Sequence, residues 1–189
     1  MLHQQSDFFT DAGWLDTGAM FSPCRLFRYE LWRRWRAEGP LLTFIMLNPS
    51  TADEVQNDPT IERCERRARM WGFAGLRIFN LYAFRATEPK DMKAAADPFG
   101  PENLERLIKA IEHDRNIIAG WGAHGGYRNA SSIIMTEVER VGRTIYCLER
   151  TKAGQPRHPL YIGYDKTPVP LYGSAPWQMP EKSPVVMAT

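Results

Sequence analysis

The chain has 189 residues, 43% of them hydrophobic and 12% aromatic, which suits one domain with a real core and excludes disorder as an overall reading. Twenty-four Lys and Arg stand against 22 Asp and Glu, a formal charge of +2, so no global charge excess compels nucleic-acid binding. Three distant cysteines, Cys24, Cys64 and Cys147, make neither a disulfide framework nor a CxxC metal site, which fits a reducing cytoplasm. The N-terminus lacks a basic and then apolar signal stretch. No run approaches the roughly 18 apolar residues of a membrane span. The expectation is a soluble cytoplasmic protein with no membrane partner.

In chain order, residues 1–20 read as an irregular leader, 21–164 as one α/β domain and 165–189 as a proline-rich extended tail. Residues 24–35 (CRLFRYELWRRW) alternate imperfectly and carry many arginines, which suggests an edge strand. Arg25, Arg28, Arg33, Arg34 and Arg36 form one charge cluster; Arg63, Arg66, Arg67 and Arg69 form another. A solvated face is the ordinary reading of such clusters, and a phosphate-tracking patch is the other. The run 41–47 is apolar except for Thr43 and follows a Glu-Gly-Pro turn, the pattern of a strand buried on both faces of a parallel sheet.

Asn48-Pro49 ends that strand, and a polar loop leads to Asp58-Pro59, an N-cap followed by proline in the first helical turn. Ile61, Cys64, Ala68 and Trp71 recur at helical spacing before Gly72. Strands are expected at 75–84, 116–121 and 144–148. Helices are expected at 91–96, from Pro101 to about His113, and at 129–141 before Gly142. This alternation predicts a three-layer α/β domain, with a central, mostly parallel sheet of four to five strands and helices on both faces.

Ligands of open α/β sheets bind beyond the carboxyl ends of the strands. That rule gathers residues 48–53, Asn80 to Tyr82, residues 120–124 and residues 157–160 on one rim. Asn80 stands out, because a carboxamide inside a buried strand must find partners where Leu or Val is the default. No GxGxxG fingerprint follows the first strand, and no GxxxxGK[ST] loop, HxxxH pair or GxSxG elbow occurs. No cofactor and no metal are therefore expected.

The run FIMLNPSTADEVQNDPT at 44–60, with GFAGLRIFNLYAFRAT at 72–87, WGAHGG at 121–126 and QPRHPLYIG at 155–163, resembles the bacterial and phage domain-of-unknown-function 1643 family. The same segments bear a more distant resemblance to the uracil-DNA glycosylase superfamily. There, a loop with Asp or Asn before Pro, a base-reading Asn, a Trp-Gly-like pair and a His-Pro motif follow successive strands. The matching positions are Asn48-Pro49, Asn80, Trp121-Gly122 and His158-Pro159.

The resemblance implies that fold and hydrolysis of an N-glycosidic bond, on a base in DNA or on a nucleotide. A nucleic acid or nucleotide is thus the expected partner. Asn48 would orient water, Asp53 is the nearest carboxylate for a general base, and His158 would donate to charge on the leaving base. Pro49, Ser50, Thr51, Asn80, Tyr82, Trp121 and Gly122 would surround the substrate. A noncatalytic binding module and a phage-related base-modification enzyme are the competing readings of the same scaffold.

Overall fold

The computed structural model describes residues 13–180. A single sheet of seven strands organises them: β1 (Asp16–Phe21), β2 (Arg28–Arg34), β3 (Leu41–Met46), β4 (Gly75–Asn80), β5 (Ile117–Ala119), β6 (Ile145–Cys147) and β7 (Val169–Tyr172). Their spatial order is β1-β2-β4-β3-β5-β6-β7. The four central strands β4, β3, β5 and β6 are parallel. The flanking pairs β1–β2, β2–β4 and β6–β7 are antiparallel.

The parallel centre agrees with the sequence, but seven strands replace the four to five expected. The additional ones come from segments read as irregular. β1 falls largely within the stretch read as a leader, and β7 within the stretch read as a tail. Residues 1–12 of that leader and 181–189 of that tail lie outside the described residues. β1 also displaces β2 from the edge, by pairing with it from Asp16–Arg34 to Phe21–Arg28. Short amphipathic strands that add only one hydrogen-bonded neighbour carry little periodicity of their own, so pairing rather than pattern defines them.

Helices cover both faces. α1 (Pro59–Met70) links β3 to β4 on one face. α2 (Pro89–Ala94) and α3 (Asn103–His113) lie between β4 and β5, and α4 (Ala130–Val141) between β5 and β6. α3 and α4 pack together with the opposite face, where Leu107, Ile111, Ile134 and Val138 meet Ile45, Phe79 and Ile117. On the first face Ile61, Cys64 and Ala68 of α1 meet Leu42, Phe44, Leu76 and Ile78. Alternate residues of β3 and β4 thus supply two separate cores, which is why these strands read as continuously apolar.

α1 starts where its sequence says it should. The Asp58 carboxylate accepts from the backbone N–H groups of Thr60 and Ile61, both at 2.9 Å, and Pro59 occupies the first turn. The connection from β3 passes to β4 on one side, while β5 lies against β3 on the other. β3 and β5 therefore flank the topological switch point, where a crevice opens at their carboxyl ends.

Candidate functional site

A cavity of about 640 Å³ occupies that crevice, within the size range of small-molecule sites. Met46, Leu47 and Asn48 at the end of β3 line it, with Ile78 and Asn80 of β4, the first turn of α1 and residues 121–124 after β5. Arg157, His158, Leu160 and Tyr161 close it from the far loop. The close approach of that loop depends on Gly120. A Cβ there would stand 2.7 Å from Pro159 Cδ and 3.0 Å from Met46 Sδ, too near for any side chain. Gly122 then turns with φ +68°, the left-handed region that glycine enters without strain.

Eight of the ten residues singled out in the sequence can be placed simply. Asn48, Ser50, Thr51, Asn80, Trp121, Gly122 and His158 line this one cavity. Pro49 is buried beside it, and its carbonyl accepts from Ala86 N–H. Two do not belong to it. Tyr82 points into the core under α3 and α4, where its hydroxyl donates to the Tyr127 carbonyl and burial pushes its pKa up to about 12. β4 ends at Asn80, so the alternation that would put Tyr82 on the cavity side no longer holds at this position.

Asp53 is the second correction. It is no part of the lining; one of its carboxylate oxygens caps a turn, accepting from Val55 N–H at 2.9 Å and Gln56 N–H at 2.8 Å. These donors, the Val55 one foremost, hold it below the usual carboxylate range. Besides Glu88, the carboxylate that does line the cavity is Asp58. Its role as an N-cap was legible in the sequence, but its place in the site was not, because only the fold of residues 48–58 turns it inward.

Asn80 is 1% exposed, and its Nδ2 is buried without a hydrogen-bond partner among the described residues. Asn48 donates its amide to the Ala86 carbonyl at 2.6 Å and more weakly to its own neighbour's at 3.2 Å, so its Oδ1 is the atom left for a ligand. His158 Nδ1 accepts from Leu160 N–H at 3.4 Å, which places the proton of the neutral ring on Nε2. Burial pulls the pKa of His158 below its usual value, and the Asp58 charge opposes this only in part. Trp121 serves core and cavity together: it is 2% exposed, and its indole N–H donates to Gln155 Oε1 at 2.8 Å.

Arg28 was missed. In sequence it is one of a cluster of arginines, yet the structure buries it to 1% exposure in the cavity wall. A bulge explains the turn. Met20 pairs with Glu30 and Phe21 with Arg28, leaving Tyr29 as an extra residue that re-aims its neighbour. Nη1 donates to the Ala52 carbonyl at 2.7 Å, and burial lowers the pKa to about 10. The broken alternation of RLFRYELW was the only signal available.

Other arginines of the two sequence clusters hold backbone carbonyls. Arg33, 0% exposed, gathers the carbonyls of Asp53, Glu54 and Gln56 and the Asn57 side chain. Arg63 and Arg67 both donate to the Ile162 carbonyl, and the Tyr164 ring lies against Arg63, Arg66 and Arg67. Among the described residues, no cluster of three His, Cys, Asp or Glu is placed to hold a metal, and no helix is long and apolar enough to cross a membrane.

Residues 28–160 match the model of the family described as "Protein of unknown function (DUF1643)". The chain belongs to this family. The matched span begins at Arg28 and ends at Leu160, so it contains every polar cavity residue described above except Tyr161 at the rim. No curated protein and no solved structure matches the chain.

Proposed function

We propose that the cavity holds a nucleobase, presented in DNA or carried by a nucleotide, and that the protein hydrolyses its N-glycosidic bond. The observation that carries this reading is the convergence of Asn48, Asn80 and His158 from three separate segments on one cavity roomy enough for a nucleotide. The unpartnered Nδ2 of Asn80 adds to it, since a desolvated amide without a partner is costly unless a ligand completes it. The distant likeness of these segments to the uracil-DNA glycosylase superfamily points the same way.

In this mechanism Asn80 reads the edge of the base with its donor and acceptor. Water adds to the sugar carbon as the bond to the base nitrogen breaks, and the bonding electrons leave with the base. His158, neutral because its pKa is depressed, offers Nε2–H to that developing charge. Asn48 Oδ1 accepts from the attacking water and orients it. Asp58 supplies the negative charge that favours the oxocarbenium-like sugar and takes the proton of the water.

Release of free base and of abasic sites is the direct test, over substrates containing uracil, hypoxanthine and mismatched or phage-modified bases. Asn80→Ala should lower the rate by roughly 100-fold or more, the usual cost of removing one preorganised donor. Asp53→Asn should leave it unchanged. A rate untouched by Asn80→Ala refutes the assignment. A noncatalytic binding module is the second reading, favoured by the engagement of Asp53 in its turn; it predicts base binding without release.

A further inference from the structure

The pairing of β2 with β4 stops at Leu31 and Ile78. It resumes where Arg28 N–H donates to the Ala83 carbonyl and Phe27 lies opposite Phe84. The stretch from Ile78 to Phe84 is longer than the one from Leu31 back to Phe27, so residues 79–83 carry slack between the two points. Asn80 lies in that slack. On the β3 side the backbone ladder continues past it: Leu81 N–H donates to the Met46 carbonyl at 2.9 Å and Tyr82 N–H to the Leu47 carbonyl at 3.0 Å.

A second neighbour of this stretch is not a strand. Residues 98–103, the approach to α3, run alongside it, with the Pro98 carbonyl accepting from Phe84 N–H and the Phe99 carbonyl from Ala83 N–H, both at 3.1 Å. The next link is made by a side chain. Asn103 Nδ2 donates to the Leu81 carbonyl at 3.1 Å and to the Asn80 carbonyl at 3.0 Å.

Asn103 is 1% exposed and is not part of the cavity lining. Its amide nitrogen carries two N–H groups on one atom and so serves two carbonyls, whereas a hydroxyl has one donor and an ionised carboxylate none. Its Oδ1 is buried without a partner, so the residue meets a cost at one end of the amide to keep two donors at the other. Asn80 and Leu81 are buried too, and water does not stand in for these bonds. The approach itself is held. Asp97 Oδ1 accepts from Phe99 N–H and Gly100 N–H, and Gly100, at φ +80°, passes so near Phe27 that a Cβ there would stand 2.8 Å from the ring.

We propose that Asn103 is a positioning residue for Asn80. By holding the Asn80 and Leu81 carbonyls it fixes the two peptide planes flanking Leu81, and hence ψ of Asn80. Backbone angles select the side-chain rotamer, so Asn103 sets how the Asn80 carboxamide meets the cavity. The effect on rate rests on the base-reading role of Asn80; the effect on its conformation does not. A carboxamide free to swing is correctly placed for only part of the time, so loss of Asn103 lowers the rate without removing any group that contacts the base.

The test is nuclear magnetic resonance of the full chain, through the three-bond couplings from Asn80 Cγ to its own backbone nitrogen and carbonyl carbon. In the wild type these should report a single rotamer, a measurement that stands whether or not any variant folds. Asn103→Ala should average them over several rotamers. Ile111→Ala, which weakens the same helix by another route, should leave them as in the wild type. In base release, Asn103→Ala should lower kcat about 10-fold or more with KM little changed, the usual scale for a misplaced group. In an Asn80→Ala background it should have almost no further effect.

An Asn80 side chain already averaged in the wild type, unmoved by Asn103→Ala or equally averaged by Ile111→Ala, overturns the proposal. Equal losses of rate in the two backgrounds mean that Asn103 only supports the fold, and overturn it as well. Couplings that behave as expected, with no base released from any substrate, support the positioning role and remove the hydrolase reading.

Discussion

The two faces of the sheet are finished in different ways. Behind β3 and β5, α3 and α4 press Leu107, Ala110, Ile111, Ile134 and Val138 onto Ile45, Phe79 and Ile117, and apolar contact suffices. On the other face α1 stands alone, and loops from 48–58 and 156–164 complete the cover. Helices satisfy their own backbone groups, whereas loops bring carbonyls that need donors. Arg33 supplies them for residues 53–56, and Arg63 and Arg67 for Ile162. The loop-covered face is also where the cavity lies, because irregular segments tied at a few points leave space that close-packed helices fill.

This contrast can be broken most severely at Arg33. Arg33→Met leaves the Asp53 carbonyl without its donor and strips one of two from Glu54 and Gln56, which keep Thr17 Oγ1 and Asp53 N–H. Urea unfolding should show a loss of about 3 kcal/mol or more. A cost near that of an exposed arginine would mean the loop does not depend on it. On the helix-covered face, Ile111→Ala should cost about 3 kcal/mol, through lost burial and a residual cavity. Base binding by the folded fraction should stay unchanged. Altered affinity would show that the two faces are not independent.

Asp58 belongs to both roles, and two substitutions separate them. Asp58→Ala removes the cap of α1 and should cost about 1 kcal/mol. Asp58→Asn keeps a capping oxygen and most of that stability, while the proposed hydrolysis should fall as far as with alanine. If Asp58→Asn retains full activity, the carboxylate is a cap alone.

The smallest effect concerns His158. Its folded pKa lies below that of the unfolded chain, so the unfolded state takes up the proton first as pH falls. Its contribution is fully present above the ordinary histidine value and is lost as pH drops from there toward the folded pKa. His158→Gln should therefore narrow the gap between urea midpoints measured on the two sides of that window. An unchanged gap would mean that His158 is not desolvated.

The strands β3 and β4, the Asp58 cap and the Gly142 end of α4 are local events, and short-range chemistry made them readable. β1 and β7 were not readable, since each is a strand by virtue of what it pairs with. The site divided along the same line. Asn48, Asn80 and His158 follow from a general rule about where strands end, and they converge as expected. Asp53 and Asp58 are only five positions apart in one polar loop, and nothing in their order says which carboxylate turns inward.

The sequence by itself determined the parallel α/β centre, the capped helix after it and the rim on which polar residues collect. Hydrophobic period, proline and glycine act over a few residues, and one chain displays them in full. Only the tertiary structure decided that Arg28 lies in the cavity, that Arg33 binds a loop and that Tyr82 faces the opposite core. A bulge at Tyr29, the approach of residues 53–57 to β2 and the end of β4 at Asn80 decide these fates, and each depends on which segment lies alongside.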